Sequence, residues 1–161
     1  MKLVEFIASI EGENDEPKGT FIGAKLTSDS NNLLKKWMDD NQIKKAYPKK
    51  KFHVTVAMDK NRDLSWNPAT FTPTLEIDPG SYKIKKFNDF LVLSFSCPEL
   101  EKRHDKAIKM HNINWDFDSY QPHITFSKDP NSLNDMEKIL LPTFPIHINN
   151  EYVEPFNSDF S

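Results

Sequence analysis

The strongest constraint on this chain is a short pattern that occurs twice. Phe52-His53-Val54-Thr55-Val56 and Pro122-His123-Ile124-Thr125-Phe126 each set a histidine and a threonine two residues apart among apolar neighbours. Side chains alternate faces along a strand, so each copy predicts a strand with His and Thr on one face and apolar residues on the other. The apolar face has to be buried, while the imidazole and the hydroxyl are aimed into a polar space. With five histidines and eight threonines in 161 residues, chance would supply His-x-Thr about 0.25 times. Two copies inside strand-like runs therefore read as two strands that serve one polar space.

The chemistry of that pair is specific. An imidazole titrates near neutrality, so one histidine can accept a proton while another donates one. Breaking a phosphodiester beside a 2′-hydroxyl calls for that combination: a base for the attacking oxygen and an acid for the leaving 5′-oxygen. Each threonine hydroxyl, on the same strand face, can donate a hydrogen bond to a non-bridging phosphate oxygen. The candidate catalytic residues are thus His53, Thr55, His123 and Thr125, in a reaction that needs neither metal nor cofactor. Zinc held by two histidines and a carboxylate is an alternative, but neither copy carries a second ligand at close spacing. A second alternative is a pair of ordinary strand histidines. The sequence does not say which imidazole is base and which acid. His104 and His111, in or just after a helix, and His147, on a late strand, read as surface or packing residues.

A chain of 161 residues with 37% apolar residues is expected to form one domain with a real core. Eleven prolines against four glycines favour many short elements over a few long helices. No apolar run is long enough to span a membrane, and the first residues lack a cleavable leader pattern, so a soluble, unexported protein is expected. A single cysteine, Cys97, forms no internal disulfide and fits a reducing compartment as a buried spectator. The net charge of −3 argues against long nucleic acid held by its backbone. The lysines are nonetheless clustered, at Lys44, Lys45, Lys49, Lys50 and Lys51 before His53 and at Lys83, Lys85 and Lys86. They are either a solvated surface or a positive collar for a small anionic substrate.

Strands are predicted at Met1 to Ile10, Thr20 to Leu26, the two motifs, Thr74 to Ile77, Tyr82 to Phe87, Phe90 to Phe95 and Pro145 to Val153. Helices are predicted from Asn31 to Asn41, capped by Ser28 or Asp29, from Pro98 after a Ser96 cap, and from Asn131 or Ser132 to Leu140. Strand, helix, motif strand recurs, which suggests two similar lobes with one motif in each.

Two such motifs at this separation resemble the two-histidine (LigT-like) phosphoesterase superfamily. The chain is more closely similar to the bacteriophage anti-CBASS nucleases, a family that degrades cyclic-oligonucleotide alarm signals of bacterial defence. The likeness runs through Gly19-Thr20-Phe21-Ile22-Gly23-Ala24-Lys25-Leu26, the His53 motif, the stretch Asp116 to Thr125, and Asn150-Glu151-Tyr152-Val153-Glu154-Pro155. The resemblance implies an α+β, bilobal fold with two antiparallel sheets facing a central cleft, helices outside, and one domain over residues 1–161, with 1–16 as a possible extension. It implies a metal-independent phosphodiesterase that opens 3′–5′ linkages of cyclic di- and trinucleotides in the host cytoplasm. His53, Thr55, His123 and Thr125 match its catalytic motifs. Glu151 matches a late-strand acid that contacts the base, with Glu154 as fallback. Phe21 falls where the family carries a base-stacking tyrosine, and Tyr82, Trp66 or Phe156 is a further platform to choose from. An RNA-end or 2′–5′ oligoadenylate phosphoesterase and a non-catalytic nucleotide sponge are the competing readings, and no oligomeric state follows.

Overall fold

The computed structural model describes residues 19–43, 52–115, 117, 119–128 and 138–156. The strand expected in 1–10, the lysine cluster at 44–51 and the helix expected from 131 lie outside these residues.

Strand β1 spans Thr20–Leu26, the bounds expected from its alternation. Ile22, Ala24 and Leu26 are buried on one face, under Leu34, Trp37 and Met38 of helix α1, Ser28–Asp40. The cap is Thr27, one residue before the expected Ser28: its extended backbone lets its hydroxyl accept from the Ser30 amide. Strand β2, His53–Asp59, begins on the first motif histidine. Next come β3, Thr70–Ile77, which starts four residues earlier than expected, and a short turn at Pro79–Ser81. Strands β4, Lys83–Phe87, and β5, Phe90–Ser94, form a hairpin. Helix α2, Pro98–His111, starts where expected, but its cap position is Cys97, whose side chain makes no capping bond. The Cys97 amide instead donates to the Glu101 carboxylate at 3.3 Å. Strand β6, His123–Ser127, begins on the second motif histidine, and β7 is Ile146–Pro155.

These elements form an α+β architecture with two antiparallel sheets, of strand order β2-β1-β7-β3 and β4-β5-β6. One contiguous core runs through both, from Ile22 and Val54 to Leu93, Ile124 and Phe126, and takes in Leu100 and Ala107 of α2. The unit strand, helix, antiparallel motif strand occurs twice, as β1-α1-β2 and β5-α2-β6. In each unit the histidine opens the returning strand opposite the end of the outgoing one, His53 beside Lys25 and His123 beside Ser94. Among the described residues both motif strands lie at the edge of their sheet, and β2 and β6 pack against each other where the two edges meet.

Candidate active site

Strand register decides which side chains share the site. On β2, His53 lies opposite Lys25 and Thr55 opposite Gly23; the register then shifts, so that Ala57 faces Ile22 and Met58 faces Phe21. The extra residue is Val56, a β-bulge that keeps His53, Thr55 and Met58 on one face while Val54 and Ala57 go to the core. On β7 the same face carries Tyr152, opposite Gly23, and Glu154, opposite Phe21. In the second sheet His123 pairs with Ser94 and Thr125 with Val92, which faces Lys85.

Thr55 and His123, from different sheets, line one cavity of about 170 Å³. Its other walls are mainly aromatic: Phe87, Trp115, Phe117 and Tyr120, with Lys85 and Lys86 along them. The Phe87 ring stacks beside the His123 imidazole, with centroids 6.2 Å apart and planes 28° apart. Trp115, Phe117 and Tyr120 come from a loop without strand or helix periodicity and Phe87 from the end of an expected strand, so no sequence pattern marks them as walls of one cavity.

Burial, followed by the charge of His123, lowers the pKa of His53 from 6.5 to about 4. The His123 imidazole is thus close enough to act on His53 across the gap between the sheets. Burial also lowers His123, helped by the Lys85 ammonium and opposed by a hydrogen bond to the Gln121 carbonyl. That carbonyl, 2.9 Å from His123 Nδ1, only accepts, so Nδ1 carries the hydrogen and Nε2 is left for chemistry. Thr55 and Thr125 are both buried beside their histidines.

Two expected substrate contacts are placed differently. Phe21 is on the site face but fully buried, its ring edge-on to His53 at 5.6 Å and near Tyr152 at 6.1 Å. It packs the imidazole and has no open face for a base. Glu151 lies opposite Ala24, on the core face, with a fully buried side chain. Its Oε1 accepts from Arg103 at 2.6 Å, the Ala69 amide at 2.8 Å and the Trp66 indole at 3.1 Å, and its Oε2 from Arg103 at 2.9 Å. This carboxylate ties β7 to α2 and the loop before β3, with three donors on Oε1 and one on Oε2. The late-strand acid on the site face is Glu154. Trp66 lies under the Arg103 guanidinium, 4.5 Å away, and Tyr82 is buried with its hydroxyl on the Phe144 carbonyl, so neither is an open platform. His104 is a packing residue, as expected, and His147 meets Glu76 at 3.4 Å. Burial raises the Cys97 thiol, which fits a spectator. Among the described residues no three His, Cys, Asp or Glu side chains gather as metal ligands, and no helix is long and apolar enough to cross a membrane.

The family model described as "Anti-CBASS protein Acb1" matches residues 18–161, which takes in both motif strands and every wall of the cavity. The chain belongs to the Acb1 anti-CBASS family. A curated relative, the anti-CBASS protein Acb1 of Vibrio phage KVP40, is 28% identical over 164 residues, covering 99% of this chain and 97% of its own length. For an Acb1-family chain the paired motifs thus lie inside the matched region, and the matched region begins two residues before β1.

Proposed function

We propose that this chain is a metal-independent phosphodiesterase that opens the 3′–5′ linkages of cyclic di- and trinucleotides and so disarms CBASS-type antiviral signalling from the host cytoplasm. The observation that carries this reading is the convergence of the two His-x-Thr strands: Thr55 and His123 line one cavity, and the charge of His123 is felt at His53. A two-histidine (LigT-like) ancestry, with the repeated strand-helix-strand unit as its trace, fits the same picture.

His53, held neutral, takes the proton of the substrate's 2′-hydroxyl as its oxygen attacks phosphorus. The bond from phosphorus to O5′ breaks, and His123, protonated at Nε2, gives its proton to that oxygen. The phosphate anion between the rings raises both imidazoles, which lets His123 hold a proton near neutral pH. Thr55 and Thr125 donate hydrogen bonds to the non-bridging oxygens where charge gathers. The product is linear, with a 2′,3′-cyclic phosphate. Water then attacks that phosphate with the two histidines in exchanged roles: His123 takes the proton of the water, the bond from phosphorus to O2′ breaks, His53 returns its proton to O2′, and a 3′-phosphate results. A base stacks against Phe87 and Phe117, and Lys85 and Lys86 draw in the anion.

The test is to incubate the purified protein with 3′–5′ cyclic di- and trinucleotides in EDTA and separate the products chromatographically. The expected products are the linear 2′,3′-cyclic phosphate and then the 3′-phosphate, with no turnover in His53→Ala or His123→Ala. Cyclic nucleotide that stays intact while linear 2′–5′ oligoadenylate is cut would replace this reading with the phosphoesterase alternative. Cyclic nucleotide that is bound and released unchanged would replace it with the sponge.

A further inference from the structure

Edge strand β2 turns two carbonyls away from a regular ladder, at the bulge where its pairing to β1 is broken. Both are taken up by side chains from the other half of the molecule. The Tyr120 hydroxyl donates to the Thr55 carbonyl at 2.7 Å, and His104 Nδ1 donates to the Val56 carbonyl at 2.7 Å. The two rings lie against each other, with centroids 4.1 Å apart and planes 8° from parallel, and Trp115 packs its edge against His104 at 4.5 Å. Tyr120 stands three residues before His123, and the carbonyl it holds belongs to Thr55, a motif residue. One short, planar side chain therefore connects the backbone of one motif to the backbone that delivers the other.

We propose that Tyr120, braced by His104, is a positioning residue: a strut that fixes the gap between the His53 and His123 strands at the width of one phosphate. Among the described residues no ladder joins the two sheets, so the width of the gap depends on such cross-braces. Burial raises the Tyr120 phenol, so it remains a donor at any working pH. Burial lowers His104, so its imidazole stays neutral and its bond to Val56 does not depend on pH near neutrality. The ring of Tyr120 is also a cavity wall, and only its hydroxyl acts on Thr55.

The kinetic arm of the test rests on the phosphodiesterase reading; the structural arm does not. Tyr120→Phe keeps the ring, the stack and the cavity wall and removes one hydrogen bond. With a cyclic dinucleotide as probe, kcat should fall on the order of 10²-fold, as expected when reacting groups are misplaced by about 1 Å. KM should stay within about twofold, since the binding wall is intact. In the same variant the imidazole midpoint of His53, followed by NMR, should rise as His123 moves away. Among the described residues, the other titratable groups on the face around His53 are Lys25, Tyr152 and Glu154, and Lys85 lies beside His123. A 4-aminophenylalanine at position 120, which donates from the same place, should restore most of kcat. A folded Tyr120→Phe with kcat and the His53 midpoint unchanged, or with the loss confined to KM, overturns the strut. Should Tyr120→Phe not fold, His104→Phe, which keeps the stack and removes the other brace, takes its place with the same readouts. If the wild-type protein leaves the nucleotide intact, the phosphodiesterase reading fails, and the His53 midpoint alone decides the strut.

Discussion

Protonating His53 means placing a positive charge in a largely buried setting beside His123, and that cost links folding to pH. The folded midpoint lies at about 4 against an ordinary 6.5. Between those values the unfolded chain binds a proton that the folded chain refuses. Stability is therefore full above pH 6.5 and is lost as pH falls toward 4. His123 and His104 are lowered too and add to the same loss. His53→Gln should flatten the acid limb of the stability curve by up to about 1.4 kcal/mol per pH unit, one proton's share, in denaturant melts at stepped pH. Equal slopes in the two proteins would refute it. The two carboxylates of β7 make a second residue-scale test. Glu151→Ala strands the Arg103 guanidinium and should cost roughly 3 kcal/mol of stability, whereas Glu154→Ala should leave stability alone and raise KM. The reverse pattern would return the ligand role to Glu151. His53 and His123 could be read from the sequence because period-2 alternation carries its own face information. Glu151 could not, because its face depends on a register shift between β1 and β7 at Lys25 and Leu26, and its partner Arg103 comes from a helix 48 positions away.

Elements carry the site through their irregularities. The Val56 bulge lets β2 present His53, Thr55 and Met58 together, which strict alternation would not allow. Gly23, between Phe21 and Lys25 on the site face, leaves room for Tyr152: a β-carbon there would lie 2.6 Å from Tyr152 Cζ and Oη and 2.7 Å from the Phe21 ring. Gly23→Ala should displace Tyr152 and the Phe21 edge that packs His53. The expected cost is about 1–3 kcal/mol, the usual price of overpacking, with kcat reduced as well, checked by thermal melts and steady-state kinetics. A variant with wild-type stability and rate would show that the ring moves freely. The bounds of β1 and the start of α2 were legible because Thr20 to Leu26 is a short, largely apolar run that stops before the capping residues of α1, and Pro98 opens a helix. The early start of β3 was not. Thr70 to Pro73 reads as loop by composition, yet Thr70 pairs with Asn150 of β7, a contact that local sequence does not record.

Across the whole molecule, the two histidines proposed as acid and base come from separate sheets, each delivered by its own strand-helix-strand unit. Turnover then depends on two protonation states set in two places. The profile of kcat/KM against pH should be bell-shaped, and its limbs belong to the pair rather than to either ring. Raising ionic strength should weaken capture of the anionic substrate at Lys85 and Lys86 and lift KM more than it lowers kcat. A flat pH profile with full activity would remove the imidazole pair from the mechanism. The class of fold was legible because the repeated motif and the flanking helix patterns are local signals. The meeting of the two sheet edges is a long-range arrangement, and only the coordinates reveal it.

Within a sheet, the spacing of two catalytic groups is quantised, because neighbouring strands stand roughly 4.8 Å apart and a side chain can only shift by whole strands or by two residues. Here the two histidine strands are borders facing each other, so their spacing is a continuous quantity. Altering the length or bulk of a bridging side chain retunes it by fractions of an ångström, and evolution can fit the same pair of strands to a new phosphate geometry without rewriting either sheet.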